Sequence, residues 1–83
     1  MALYFISYDL RKARDYQKLY DELLKFNAVR ILESTWCFKR VNSDAEGLRN
    51  HFDQFIDSDD GMAVSEVTDW ATKNTDGHPN QLK

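Results

Sequence analysis

The run from Ala2 to Tyr8, ALYFISY, is apolar on both of its faces. Side chains in a strand alternate with period two, so Leu3, Phe5 and Ser7 point one way and Tyr4, Ile6 and Tyr8 the other. Such a strand belongs in the middle of a sheet and has to be covered twice. A chain of 83 residues supplies one core, which is too little for two independent units. Helices packed on one face would leave the other open. An exposed apolar sheet face of that size marks an interaction surface, and a second copy of the chain is the expected cover.

The remaining pattern supplies the helices. Tyr16, Leu19, Tyr20, Leu23 and Leu24 repeat at helical spacing and predict a helix over residues 15–26, with Asp15 near its start and Asn27 at its end. AVRILESTWCFKRV is rich in β-branched and aromatic residues and too long for one strand. It divides into strands 28–33 and 35–41, with a bend near Glu33, Ser34 and Thr35. SDAE at 43–46 reads as a capping box with Ser43 as the cap. The helix it opens runs to about Ile56, burying Ala45, Leu48, Phe52, Phe55 and Ile56. DSDDG is a loop, and MAVSEV at 62–67 is a last strand. The order βαββαβ predicts a ferredoxin-like α+β fold: an antiparallel sheet with strands one and three central and both helices on one face. Residues 1–72 form this single domain, and Thr68 to Ala71 offer a short fifth strand for a partner. Residues 73–83 are polar, contain Gly77 and Pro79, and read as a disordered or loosely docked tail.

Composition removes several function classes. The lone Cys37 excludes an internal disulfide and a cysteine-bound zinc. The first apolar run is too short to span a bilayer and lacks the flanks of a signal peptide, so a cytoplasmic protein is expected. A net charge of −3 argues against bulk nucleic-acid affinity. The distribution matters more: Arg11, Lys12, Arg14 and Lys18 follow the first strand, while Asp57, Asp59 and Asp60 crowd elsewhere.

Asp9 closes the first strand on the parity of Phe5 and Ser7. It either ends the strand and pairs with Arg11 or Arg14, or serves as a metal ligand held on a rigid edge. On a dimer face, two Asp9 carboxylates would approach one cleft. Arg11, Lys12 and Arg14 are either a solvated loop or contacts for backbone phosphates. Arg30, inside a strand, either meets an acid across the sheet or enters a groove. Ser34 caps the strand bend or bonds phosphate. Trp36 and Phe38 are expected in dimer packing ahead of base stacking, and Cys37 in a core. His51 borders the second helix's stripe and is expected as a structural residue ahead of a general base. His78 has no ligand partners nearby, and DSDDG misses the calcium-loop spacing.

FISYDL closing the first strand, the basic stretch and helix after it, VRILEST before an aromatic strand, and FIDSDDGMAVSEV at the last strand resemble the CRISPR-associated Cas2 family. They also resemble the Cas2-like and SinR-like small proteins found outside CRISPR loci. The similarity covers residues 2–72. It implies a homodimer with facing sheets and Mg²⁺-dependent endonuclease or phosphodiesterase activity on RNA or DNA. Asp9 would hold the metal, and Arg11, Arg14, Arg30 and Ser34 would contact nucleic acid. It also implies relatives that are non-catalytic scaffolds, holding nucleic acid or another protein; the alternative function for this chain is a non-catalytic dimeric module binding a partner protein or a small anionic ligand. The chain's acidity and the absence of a strongly basic outer face depart from the family pattern.

Overall fold

A computed structural model describes residues 1–82. Strand β1 is Ala2–Asp9, helix α1 Gln17–Lys25, β2 Val29–Leu32, β3 Thr35–Arg40, helix α2 Ala45–Asp53 and β4 Gly61–Val67. The antiparallel sheet has the order β2-β3-β1-β4, the ferredoxin-like arrangement expected of βαββαβ. Among the described residues the sheet has four strands, and Thr68 to Ala71 form no fifth one.

Strand β1 is central and splits its faces as its alternation requires. Tyr4, Ile6 and Tyr8 are buried under the helices with Trp36 and Phe38 of β3, Leu19 and Leu23 of α1, and Leu48 and Phe52 of α2. Trp36 and Phe38 therefore pack inside one chain, because they share register with Ile6 and Tyr4. They are not available to a sheet-to-sheet contact. The other face carries the row Val29, Cys37, Phe5 and Ser65, in register across all four strands.

Local chemistry sets the boundaries. Helix α1 ends where Asn27 takes φ 56°, a left-handed conformation that asparagine tolerates. The Asn27 amide bonds Leu24 O at 2.9 Å and the Ala28 amide bonds Leu23 O at 3.0 Å, the paired bonds of a Schellman stop. The start of α2 corrects the capping-box reading. Asp44, not Ser43, is the cap, its carboxylate accepting from the Gly47 amide at 2.7 Å. The Ser43 hydroxyl turns back to Val41 O at 3.1 Å. A charged acceptor at a helix N-terminus outcompetes a hydroxyl one position earlier. Asp44→Ala should therefore cost about 1 kcal/mol in urea unfolding, and Ser43→Ala should leave the midpoint in place.

The β2–β3 hairpin turns through Glu33 and Ser34, neither at positive φ. Ordinary turn geometry opposes the twist of a hairpin, and the register shift between Arg30 and Leu32 takes up the mismatch. The C-terminal segment lies against β2. The Asp76 amide bonds Ile31 O at 2.9 Å, Pro79 in the 3₁₀ turn Pro79–Gln81 is buried, and the Trp70 indole stacks on His78. Residues 76–81 are thus docked on β2. Lys83, its last residue, lies outside the described residues. Among the described residues no strand pairs with the outer edge of β4.

Candidate functional site

Antiparallel pairing brings the end of β1 beside the start of β4, with Asp9 in register with Gly61. Asp9 lies on the face away from the helices, over an open depression lined by Ser7, Gly61 and Ala63. Its side chain is 71% exposed. Oδ2 accepts from Arg11 Nε at 3.2 Å, and Arg11 Nη2 stands 3.2 Å from the same oxygen. Gly61 makes room for this pair, since an added Cβ would lie 3.0 Å from Arg11 Nη2.

The same topology brings the two charge clusters together. Arg11 donates through Nη1 to Asp59 O at 2.7 Å and through its amide to Asp60 Oδ1 at 2.7 Å. Lys12 Nζ pairs with Asp59 Oδ2 and Arg14 Nη1 with Asp57 Oδ1, both at 2.8 Å. Asp60 Oδ2 also accepts from the Tyr16 hydroxyl and the Asp57 amide, each at 2.8 Å. The basic stretch expected to meet phosphate is thus partnered by the chain's own acidic loop. Charge counting along the chain separated the two clusters. The strand order supplies the missing signal, because adjacent antiparallel strands place the exit of β1 and the entry of β4 at one sheet end.

Partial burial pushes the Asp60 carboxyl upward. The amides of Arg11 and Asp57, the Tyr16 hydroxyl and the Arg14 charge outweigh it and hold the group below the ordinary carboxylate value. A depressed folded value contributes stability above the unfolded carboxylate range and loses it as pH falls through the folded value. Wild type should lose urea resistance between pH 5 and pH 2 more steeply than Asp60→Asn; parallel curves would show that the knot is energetically silent.

Around the same sheet end, on the helix side, a recess of about 200 Å³ is lined by Asp9, Tyr20, Arg30, Glu33 and Ser34. Among the described residues Arg30 meets no acid across the sheet. Its guanidinium lies 5.4 Å from the ring centroids of both Tyr20 and Trp36 and donates through Nε to Glu33 O at 3.0 Å. The Trp36 indole donates to the Tyr8 hydroxyl at 3.0 Å, closing an aromatic shelf beneath the arginine. Ser34 accepts the Tyr8 amide through its carbonyl at 3.1 Å. Three sequence candidates, Asp9, Arg30 and Ser34, thus border one recess. Arg11 stands on the other side of Asp9, and Arg14 is turned to Asp57. Elsewhere, His51 Nε2 meets Glu22 Oε2 at 2.6 Å and ties α2 to α1.

The donor set decides what metal one chain could hold. Mg²⁺ takes six oxygen ligands in near-octahedral array and retains several waters. Among the described residues no three His, Cys, Asp or Glu side chains converge. One carboxylate with an arginine on it does not suffice. A pair of Asp9 groups from two chains, with water and substrate oxygens, does fit the chemistry.

The family model described as CRISPR associated protein Cas2 matches residues 1–75, all four strands and both helices. No solved structure matches the chain.

Proposed function

The chain belongs to the CRISPR-associated Cas2 family, and from that premise we propose that it is a divalent-metal-dependent phosphodiesterase, an endonuclease on RNA or DNA completed by two copies of the chain. The observation that carries this reading is the position of Asp9. It stands exposed at the end of a central strand, on the face the helices leave open. Two sheets meeting there would bring two such carboxylates toward one cleft. A bound Mg²⁺ would polarise a phosphoryl oxygen and lower the pKa of a water. The chain's own residues do the rest. Asp9 of each copy is the ligand. Arg11, within reach of Asp9, neutralises a phosphate once it leaves that carboxylate. Arg30 and Ser34 border the recess behind Asp9 and contact the backbone of the nucleic acid, while Arg14 contributes charge beyond. No helix among the described residues is long and apolar enough to cross a membrane, and the reading places the protein in the cytoplasm.

One observation favours a second reading, a non-catalytic dimeric scaffold for a protein or small anionic ligand. The pairing of Arg11 with Asp9, Lys12 with Asp59 and Arg14 with Asp57 leaves little free positive charge at the sheet end. Cleavage of single-stranded RNA and duplex DNA, measured with Mg²⁺, with EDTA, and with Asp9→Asn, separates the two. The enzyme reading requires activity that disappears in both controls. Activity lost to EDTA but kept by the variant would come from a contaminant.

A further inference from the structure

We infer that residues 68–82 form a strap across the open sheet face, and that this strap restrains self-association by occupying the β2–β3 half of that face. The inference rests on the dimer reading above and names its regulation. Its path follows from two fixed points. Val67, the last residue of β4, is in register with Leu3 of β1. Nine residues later the Asp76 amide bonds Ile31 O in β2, at the opposite edge of the sheet. The chain between them must traverse the sheet's width, three strand spacings of about 4.8 Å each. The helices fill one side. Gly77 identifies the other as the one taken: a Cβ there would lie 2.7 Å from Val29 Cγ1 and 2.8 Å from Arg30 O. Val29 is in register with Cys37 and Phe5, on the face away from the helices.

Exposure follows the same division. On the strapped half Cys37 is 0% exposed although no helix covers it, and Gly77 and Pro79 are buried. On the β1–β4 half Ser7, Asp9, Ala63 and Ser65 are exposed. A second copy could seat fully on this face only by moving the strap. The fastening is light: one backbone bond to Ile31 and the burial of Gly77 and Pro79, with the Trp70–His78 stack at 6.3 Å holding the strap in its own folded shape. His78 Nδ1 is buried without a hydrogen-bond partner among the described residues, a cost of docking that release would relieve. Gly77 is required by close approach and not by its backbone angle, since no glycine has positive φ.

Two variants of the full chain test this. Gly77→Val inserts bulk against Val29, and Trp70→Ala removes the stack without adding any. Each is read by the labelling rate of the Cys37 thiol at concentrations low enough to keep the chain monomeric, and by the dimer constant from sedimentation equilibrium, with circular dichroism confirming the fold. The expected result is Cys37 labelling faster by about tenfold or more and a dimer constant tighter by about tenfold. Unchanged labelling in folded variants would refute the strap's position. Faster labelling with the wild-type dimer constant, or a weaker dimer, would refute the restraint. Absence of self-association in wild type and variants alike would remove the dimer reading and the restraint with it, an outcome distinct from the other two.

Discussion

Replacing Asp9 by asparagine should reduce Mg²⁺-dependent cleavage by more than about a hundredfold while leaving the fold unchanged. Loss of an outer-shell partner alone costs 10–100-fold in metal affinity or activity, and the direct ligand should cost more. The substitution preserves shape and removes charge, and the charge is what a hard cation needs. The fold should tolerate it because the side chain is 71% exposed and its one ion pair, with Arg11, is also exposed. Such pairs contribute roughly 0–1 kcal/mol. Single-turnover cleavage across a Mg²⁺ titration is the measurement. A rate within threefold of wild type at saturating metal would remove Asp9 from the chemistry.

The largest effect on stability should come from Phe38→Ala. Phe38 is fully buried, with ring centroids 5.9 Å from Tyr4, 5.2 Å from Phe26 and 5.8 Å from Phe52. It joins β3 to α2 and to Phe26 at the end of α1. Truncating a buried phenylalanine costs about 3–5 kcal/mol. Natural domains hold about 0.05–0.15 kcal/mol per residue, so a chain of 83 residues has little reserve. Urea unfolding should show the midpoint falling by a third or more. Val41→Ala, at a residue 55% exposed, is the matched control and should scarcely move it.

The fold was legible because its strongest signals are periodic. The stripe of α1, the two-sided β1 and the aromatic β3 each specify an element independently of distant residues. Their order leaves few antiparallel solutions. Boundaries were less legible, since the competition between Ser43 and Asp44 turns on one hydrogen bond. Trp36 and Phe38 were placed toward a partner because strand parity gives two faces without saying which one the helices take. The site was legible as candidates. Asp9 was singled out by its position at a strand end, yet its contact with Arg11 and the pairing of Arg11, Lys12 and Arg14 with the acidic loop depend on which loops share a sheet end. The tail was illegible for a related reason. Its polar composition suits solvent, and only Gly77 against Val29 and the buried Pro79 reveal a docked path.

The two margins of the sheet differ in what they can recruit. On the β2 side residues 68–82 turn inward and occupy a main-chain acceptor, whereas among the described residues no strand pairs with the outer edge of β4. A sheet with one available margin can gain a single neighbour by strand addition and then has nowhere left to grow. Strand addition at the β4 margin would therefore stop at a pair and would not run on into a ribbon.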